Sequence, residues 1–357
     1  MALVCTGIFA FLVSLTAVWF VRDLCRKRGW YDKIDERKIH KGSIPRLGGI
    51  GIFVGFDIAF LVVIFLPFGP FPHLSITSRF WPIAVASLVV FALGLGDDFR
   101  SLHARFKFAV QLLAAIFVVC MGYRFRTIDF PFFGWGIIDL GLFSYPLTVI
   151  WLVGVTNALN LIDGMDGLSC TVSSIVSVFF ALYFYITGDY ASSVLCCMLL
   201  GSILGFFVFN RPKASIFMGD GGALFVGFVL AVFPLLNQAH GGRNELGFLS
   251  AITALLIPIY DTFAAMLRRM RAHVSFFTPD RGHLHHKLLN MGLSTWQVLV
   301  IIGSVNLVLG AAALSSLYLD NQGAFVVKIG SWVLLLGLFL FLHYDKENRL
   351  RENNTEK

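Results

Sequence analysis

The sequence predicts an all-α polytopic membrane protein, and three observations lead there. Of its 357 residues, 57% are hydrophobic and only 14% charged, whereas soluble proteins carry roughly a quarter charged residues. Apolar stretches of about 17 to 25 residues, each long enough to cross roughly 30 Å of hydrocarbon as a helix, recur from one terminus to the other. Lysine and arginine gather in alternate connections between those stretches, as they do when a chain is oriented in a bilayer.

The apolar stretches place about eleven spans at 3–21, 47–68, 80–96, 108–123, 144–160, 169–187, 192–209, 222–238, 245–267, 297–318 and 325–343. With the N-terminus outside, the segments 22–46, 97–107, 161–168, 210–221, 268–296 and 344–357 are cytoplasmic and hold 23 of the 28 lysines and arginines. The reverse orientation would put those 23 outside, against the positive-inside tendency. The first span has no basic residue before it and no small-residue cleavage site, and Arg22, Arg26, Lys27 and Arg28 follow it. It reads as an uncleaved helix that enters outside-first, with the C-terminus cytoplasmic. Residues 1–343 are expected to form a single membrane domain and 344–357 a solvated polar tail. The outer connection 124–143, with its Phe, Trp, Gly and Pro, is expected to make a small interfacial element.

Composition also excludes classes. The net charge of +7 is explained by orientation in the membrane, and no basic, aromatic-laced nucleic-acid module is present. The six cysteines, Cys5, Cys25, Cys120, Cys170, Cys196 and Cys197, show neither CxxC pairs nor metal-type spacing and read as small core residues.

The polar motifs gather on the cytoplasmic side. Asp97 and Asp98 close the third span in LGLGDDFRSLHARFK. Alone such a pair reads as a solvated helix end; beside a cation it can hold Mg²⁺ against phosphate or accept a proton. Lys107 follows, either as a phosphate contact or as a positive-inside anchor. The fifth span ends in NALNLIDGMDGLS, with Asn157, Asn160, Asp163 and Asp166 three residues apart. As a helix these would form one polar stripe, costly to desolvate at a bilayer edge and therefore paired, hydrated or ligand-bound.

Asp220 lies between glycines in NRPKASIFMGDGGALFVGF at the start of another span. It is suited to cap that helix or to hold a metal beside amides that attract phosphate. Phe217 offers a flat face for a base. In IPIYDTFAAMLRRM, Pro258 should bend the ninth span, and Asp261 is either functional or paired with an arginine such as Arg268. The loop FFTPDRGHLHHKLLN carries His283, His285 and His286 among Asp280, Arg281 and Lys287. It lacks the HExxH helix or cysteines of a zinc site, and its neighbours fit phosphate recognition better.

Taken in order, HKGSIPRLGG, LGDD, NALNLIDGMDGL, NRPKASIFMGDGG and DRGHLHHKLL resemble the polyprenyl-phosphate N-acetylhexosamine-1-phosphate transferase family over residues 40–290. The chain is most similar to the WecA/TagO branch, which transfers N-acetylglucosamine-1-phosphate from UDP-N-acetylglucosamine to undecaprenyl phosphate and releases UMP. The alternative MraY branch, a phospho-N-acetylmuramoyl-pentapeptide transferase, carries a longer histidine run ending in Phe-Glu, whereas here HLHH is followed by Lys287.

The resemblance implies a cofactor, Mg²⁺ or Mn²⁺ in its place, held by Asn160 and Asp220. Asp97 and Asp98 would flank the reacting phosphates, one of them as base. Asp163 and Asp166 would bind or orient the nucleotide, Phe217 would stack on uracil, and Asn210 would support that pocket. His283, His285 and His286 would meet the diphosphate, with Lys41 and Lys107 as further phosphate contacts. The implied partners are a UDP-sugar, a polyprenyl phosphate and the bacterial cytoplasmic membrane, with room for a homodimer. The rival from another class is a lipid or solute transporter, whose path would need polar groups deep in several spans.

Overall fold

The computed structural model describes residues 2–31, 44–65, 76–131, 136–236, 246–275, 278, 280 and 282–355. Among them the chain forms thirteen α-helices: α1 (Ala2–Arg28), α2 (Gly49–Phe65), α3 (Ile76–Phe99), α4 (Ala104–Cys120), α5 (Ser144–Ile162), α6 (Leu168–Ile186), α7 (Tyr190–Asn210), α8 (Gly219–Val232), α9 (Phe248–Ala254), α10 (Leu256–Arg271), α11 (Leu284–Asn290), α12 (Thr295–Ala313) and α13 (Asn321–Thr355). Seven helices among the described residues are long and apolar enough to cross a bilayer, or eight if the bent pair α9–α10 is one span. The eleven expected stretches all contain helix; among the described residues α2 and α4 have 17 residues each and α8 has 14.

Helix dominates because lipid offers no partner for a backbone amide, so each span must satisfy its own. Some ends are set by local chemistry. Ser294 and Gln297 form a reciprocal capping box at α12, and Asp189 accepts from the amide of Ser192 at the start of α7.

Two expectations need correction. The fold is not purely α-helical, since β1 (Thr127–Phe130) and β2 (Gly136–Asp139) pair antiparallel, with Ile128 opposite Ile138. Pro131 stops a helix here, and β-branched Thr127, Ile128, Ile137 and Ile138 favour a pleated pair. The span 245–267 is broken, with α9 and α10 meeting at 81°. Pro258 bends the chain as expected, but the break falls at Leu255, because the proline ring collides with the carbonyl four residues back, that of Ala254, where α9 ends. Within the polar tail α13 continues to Thr355, through Glu, Lys, Leu and Arg with no Gly or Pro to stop it.

The bundle is built round α8, whose residues from Gly221 to Val232 are all buried. Phe225 on α8 meets Phe53 and Phe56 of α2 and Phe91 of α3 edge to face, at 5.2, 5.7 and 6.2 Å. These aromatic contacts pin two neighbours to the centre. Trp151 of α5 donates from Nε1 to the carbonyl of Ala231 at 2.8 Å, which fixes a third.

On the flank, α1 and α7 approach backbone to backbone. A methyl added at Gly201 would overlap the carbonyl of Gly7, and Ser14 Oγ donates to the carbonyl of Ser202 at 2.7 Å. Gly201→Ala is therefore expected to force α1 from α7 and cost about 1–3 kcal/mol, read as a lowered melting temperature of the purified protein in detergent.

Candidate active site

The last turns of α3, α5 and α7 and the first turns of α2, α4 and α8 meet at one end of the bundle, so residues far apart in sequence share one polar region. Its anchor is Asp98 at the end of α3. The Asp98 side chain is 1% exposed. Its Oδ1 accepts from the amide of Asp220 at 2.9 Å and its Oδ2 from that of Gly221 at 3.0 Å. Oδ1 also accepts from Arg46 Nε at 3.0 Å and Nη2 at 2.8 Å.

A buried carboxylate needs such donors, and amides at a helix start are suited to an anion. The anion at the first turn of α8 is thus the protein's own carboxylate. Asp220 does not cap α8 with its side chain, which leaves that carboxylate available.

Arg46 reaches Asp98 because its segment is laced to the strand-like stretch before α8. The amide of Phe217 donates to the carbonyl of Pro45 at 2.8 Å, that of Gly48 to Phe217 at 2.9 Å, and that of Gly49 to Met218 at 2.8 Å. Phe217 is half-buried beside this lacing.

Next to it, Lys107 Nζ bridges Asp97 Oδ2 at 2.6 Å and Asp220 Oδ2 at 3.4 Å. Asp97 also accepts from the amide of Leu102 at 2.7 Å. Asn160 Nδ2 donates to Asp220 Oδ1 at 3.2 Å. Lys107 thus ties α3, α4 and α8 together. Lys41 lies outside the described residues.

The expected stripe of four polar residues on α5 is only half formed. Asn157 and Asn160 lie on the helix, and Asn157 donates to Gln111 Oε1 of α4 at 2.5 Å. The helix ends at Ile162, so Asp163 and Asp166 belong to the turn. Asp166 Oδ2 accepts from the amides of Lys213 and Ala214 at 3.1 and 3.0 Å. Asn210 completes this lacing, with Oδ1 accepting from the amide of Gly167 and Nδ2 donating to the carbonyl of Ile216, both at 3.0 Å. Asp166 and Asn210 therefore shape the two loops that face the site.

The histidine loop reaches the same place: a methyl on Gly164 would lie 2.9 Å from His285 Nε2. His285 is 1% exposed, and neither ring nitrogen has a hydrogen-bond partner among the described residues. Burial, reinforced by neighbouring His286, pushes its pKa down to about 3. It is neutral near pH 7, a hydrogen-bonding group and not a cation for phosphate. Its ring lies 4.3 Å from that of His286 and 5.9 Å from that of His283.

Asp261 pairs with His283, its Oδ2 2.7 Å from Nδ1. Arg268 takes Asp280 instead, at 2.6 Å. Burial alone would raise the Asp280 carboxyl, but hydrogen bonds from Arg268 and the Gly282 amide hold it below its ordinary value.

Arg46 is the residue that sequence reasoning missed, although it stands in the quoted HKGSIPRLGG. Its signal was a cation beside two glycines on the same side as two carboxylates that both need partners.

The donor set fits a divalent cation. Aspartates 97, 98, 163 and 220 meet only Lys107 and Arg46 in the ion pairs among the described residues. Burial and then the charges of Asp220, Asp98 and Asp166 hold the Asp163 carboxyl well above its ordinary value. No three of His, Cys, Asp and Glu make a ready metal cage among the described residues.

Arg46→Ala should leave Asp98 short of a partner and cost about 1–3 kcal/mol of stability. The expected outcome is a lower melting temperature together with loss of most activity, from thermal melts and turnover on the same preparation.

A glycosyl transferase family 4 model matches residues 80–237, the stretch from α3 through α8 that carries Asp97, Asp98, Asn160 and Asp220. Similar proteins extend the likeness over most of the chain. The probable undecaprenyl-phosphate N-acetylglucosaminyl 1-phosphate transferase of Bacillus subtilis is 33% identical, over 86% of this chain and 84% of its own. The decaprenyl-phosphate N-acetylglucosaminephosphotransferase of Mycobacterium tuberculosis is 32% identical, over 92% and 86%. The undecaprenyl-phosphate alpha-N-acetylglucosaminyl 1-phosphate transferase of Yersinia pestis is 31% identical, over 94% and 89%. With its acidic centre on that matched stretch and its likeness running through the flanking helices, this chain belongs to glycosyl transferase family 4, among the polyprenyl-phosphate N-acetylhexosamine-1-phosphate transferases.

Proposed function

We propose that the protein transfers N-acetylglucosamine-1-phosphate, or a closely related N-acetylhexosamine-1-phosphate, from a UDP-sugar to a polyprenyl phosphate and releases UMP. The observation that carries this is the meeting of Asp97, Asp98, Asn160 and Asp220 at one end of the bundle, in a chain whose relatives are named for this transfer. A phosphate oxygen of the lipid attacks the sugar-linked phosphorus, the bond to UMP breaks, and a lipid diphosphate sugar remains. Two anionic reactants must meet, so catalysis rests on holding them in line and offsetting their charge.

In this reading Asp220 and Asn160 would hold Mg²⁺, which would offset phosphate charge. Asp98 holds the start of α8, and Asp97, beside Lys107, takes the part of the base. Asp163 faces the nucleotide, and the loops laced by Asp166 and Asn210 give the pocket its shape, with Phe217 against the uracil. Support for a lipid substrate comes from an apolar cavity of about 330 Å³ between α5, α9 and α10, lined by Ile150, Trp151, Phe248, Ile252, Phe263 and Met266.

The orientation proposed is the one that charge favours, with this end of the bundle at the cytoplasmic face of a bacterial inner membrane and eleven segments in or across the bilayer. Cysteines placed at Ser101 and at Met291 should both label from the cytoplasmic side; labelling from opposite sides would rule out a common pocket.

Purified protein given polyprenyl phosphate, UDP-N-acetylglucosamine and Mg²⁺ should release UMP and form lipid-linked sugar, and chelation of the metal should stop it. Absence of turnover across a panel of UDP-sugars would overturn the reading. Asp97→Asn and Asp220→Asn should each lower kcat about 100-fold or more, with a smaller fall in melting temperature than Asp98→Asn. Asp98→Asn should lower both activity and melting temperature, because its carboxylate also holds α8.

A further inference from the structure

The break between α9 and α10 sends Asp261 into the interior, where its carboxylate does two things at once. Oδ2 lies 2.7 Å from His283 Nδ1, and Oδ1 accepts from the amide of Leu284 at 2.9 Å. Asp261 is 2% exposed and His283 5%. An ionised carboxylate only accepts, so the ring proton of neutral His283 must sit on Nδ1, and Nε2 is the nitrogen left for other work. The second contact, to Leu284, fixes the carboxylate itself and with it the start of α11, the short helix that carries His285 and His286.

Asp261 has no such bond to Arg268, which is held by Asp280 at 2.6 Å. Its carboxylate serves the histidine loop alone among the hydrogen bonds described. His283 in turn stacks near His285, whose ring abuts Gly164 in the loop that follows α5. Through these contacts the pair is tied to the histidine loop and to the turn after α5, with Asp261 on the Nδ1 side of His283.

We propose that Asp261 is a positioning residue for the transfer: it fixes the ring orientation and tautomer of His283, so that Nε2 is the nitrogen presented to the anionic reactants. A charged carboxylate on Nδ1 also stabilises the imidazolium whenever Nε2 takes a proton or donates one to a phosphate oxygen. This rests on the transferase reading above. Its sign is specific. Loss of the carboxylate charge should slow the chemical step while leaving UDP-sugar binding nearly intact, because Asp261 touches no substrate.

The test uses the full-length protein in detergent or nanodiscs, with UMP release as readout and UDP-N-acetylglucosamine varied. Asp261→Asn keeps the shape and one acceptor but presents its amide nitrogen or a neutral oxygen to Nδ1, so the tautomer is no longer imposed. It is expected to lower kcat about 10- to 1000-fold with KM changed less than about threefold. Adding it to His283→Ala should cause no further loss, since a residue acting only through His283 has nothing left to act on. Asp261→Glu, which restores the charge on a longer arm, should recover part of the lost kcat, and melting curves should place all three variants near the wild type.

The proposal is overturned by wild-type kcat in Asp261→Asn, by a loss that multiplies with that of His283→Ala, or by a loss that follows the melting temperature. Should Asp261→Asn not fold, the decision passes to Asp261→Glu, where reduced kcat at constant KM and normal melting supports positioning and wild-type kcat refutes it. The wild type separates the two readings: its own failure to turn over sinks the transferase, whereas an active wild type beside an equally active Asp261→Asn sinks the positioning alone.

Discussion

A carboxylate buried at the lip of a helical bundle must find donors, and the demand of Asp98 organises this protein. It draws the first amides of α8 and the guanidinium of Arg46 onto one side chain. Those three contacts lock the end of α3 to the start of α8 and to the segment leading into α2. Without them the central helix would start on unpaired amides and Asp98 would be an uncompensated charge in a poorly solvated place. The position of Asp220 one turn away then follows from the same contacts, since its own amide is one of the donors.

This use of Asp98 separates two kinds of acidic residue that look alike in the chain. Asp98 and Asp166 spend their oxygens on backbone amides and hold loops and helix starts in place. Asp97 and Asp220 are bridged by a single lysine, and Asp220 keeps a side chain 26% exposed. The first pair gives rigidity, and the second gathers acidic charge that Lys107 alone meets in the ion pairs among the described residues. A site that must hold two anions close together gains from this division, because fixed dipoles do not reorganise as charge moves.

The histidine loop shows the same economy of parts. His285, neutral and buried against Gly164, links the loop after α5 to the loop after α10, while Asp261 holds its neighbour His283 from below. The break at Leu255 makes this possible: α10 leaves the line of α9 at 81°, which turns Asp261 toward the site and opens the apolar cavity on the other side. One proline, three residues beyond the break, thus serves both features.

Much of this was legible in the chain. Long apolar runs set apart by basic segments determined a helical membrane protein, because lipid tolerates few other backbones and charge sets orientation. The clustering of Asp97, Asp98, Asn160, Asp220 and the histidines at span ends marked one face, since polar groups there need a reason to be present. What the chain alone left open was pairing. Whether Asp261 meets Arg268 or His283, which carboxylates Lys107 joins, and that Arg46 reaches Asp98, are decided by which helix ends come together. Hydrogen bonds reach about 3 Å, whereas the residues concerned are separated by many positions in sequence, and only packing in three dimensions brings them within that distance.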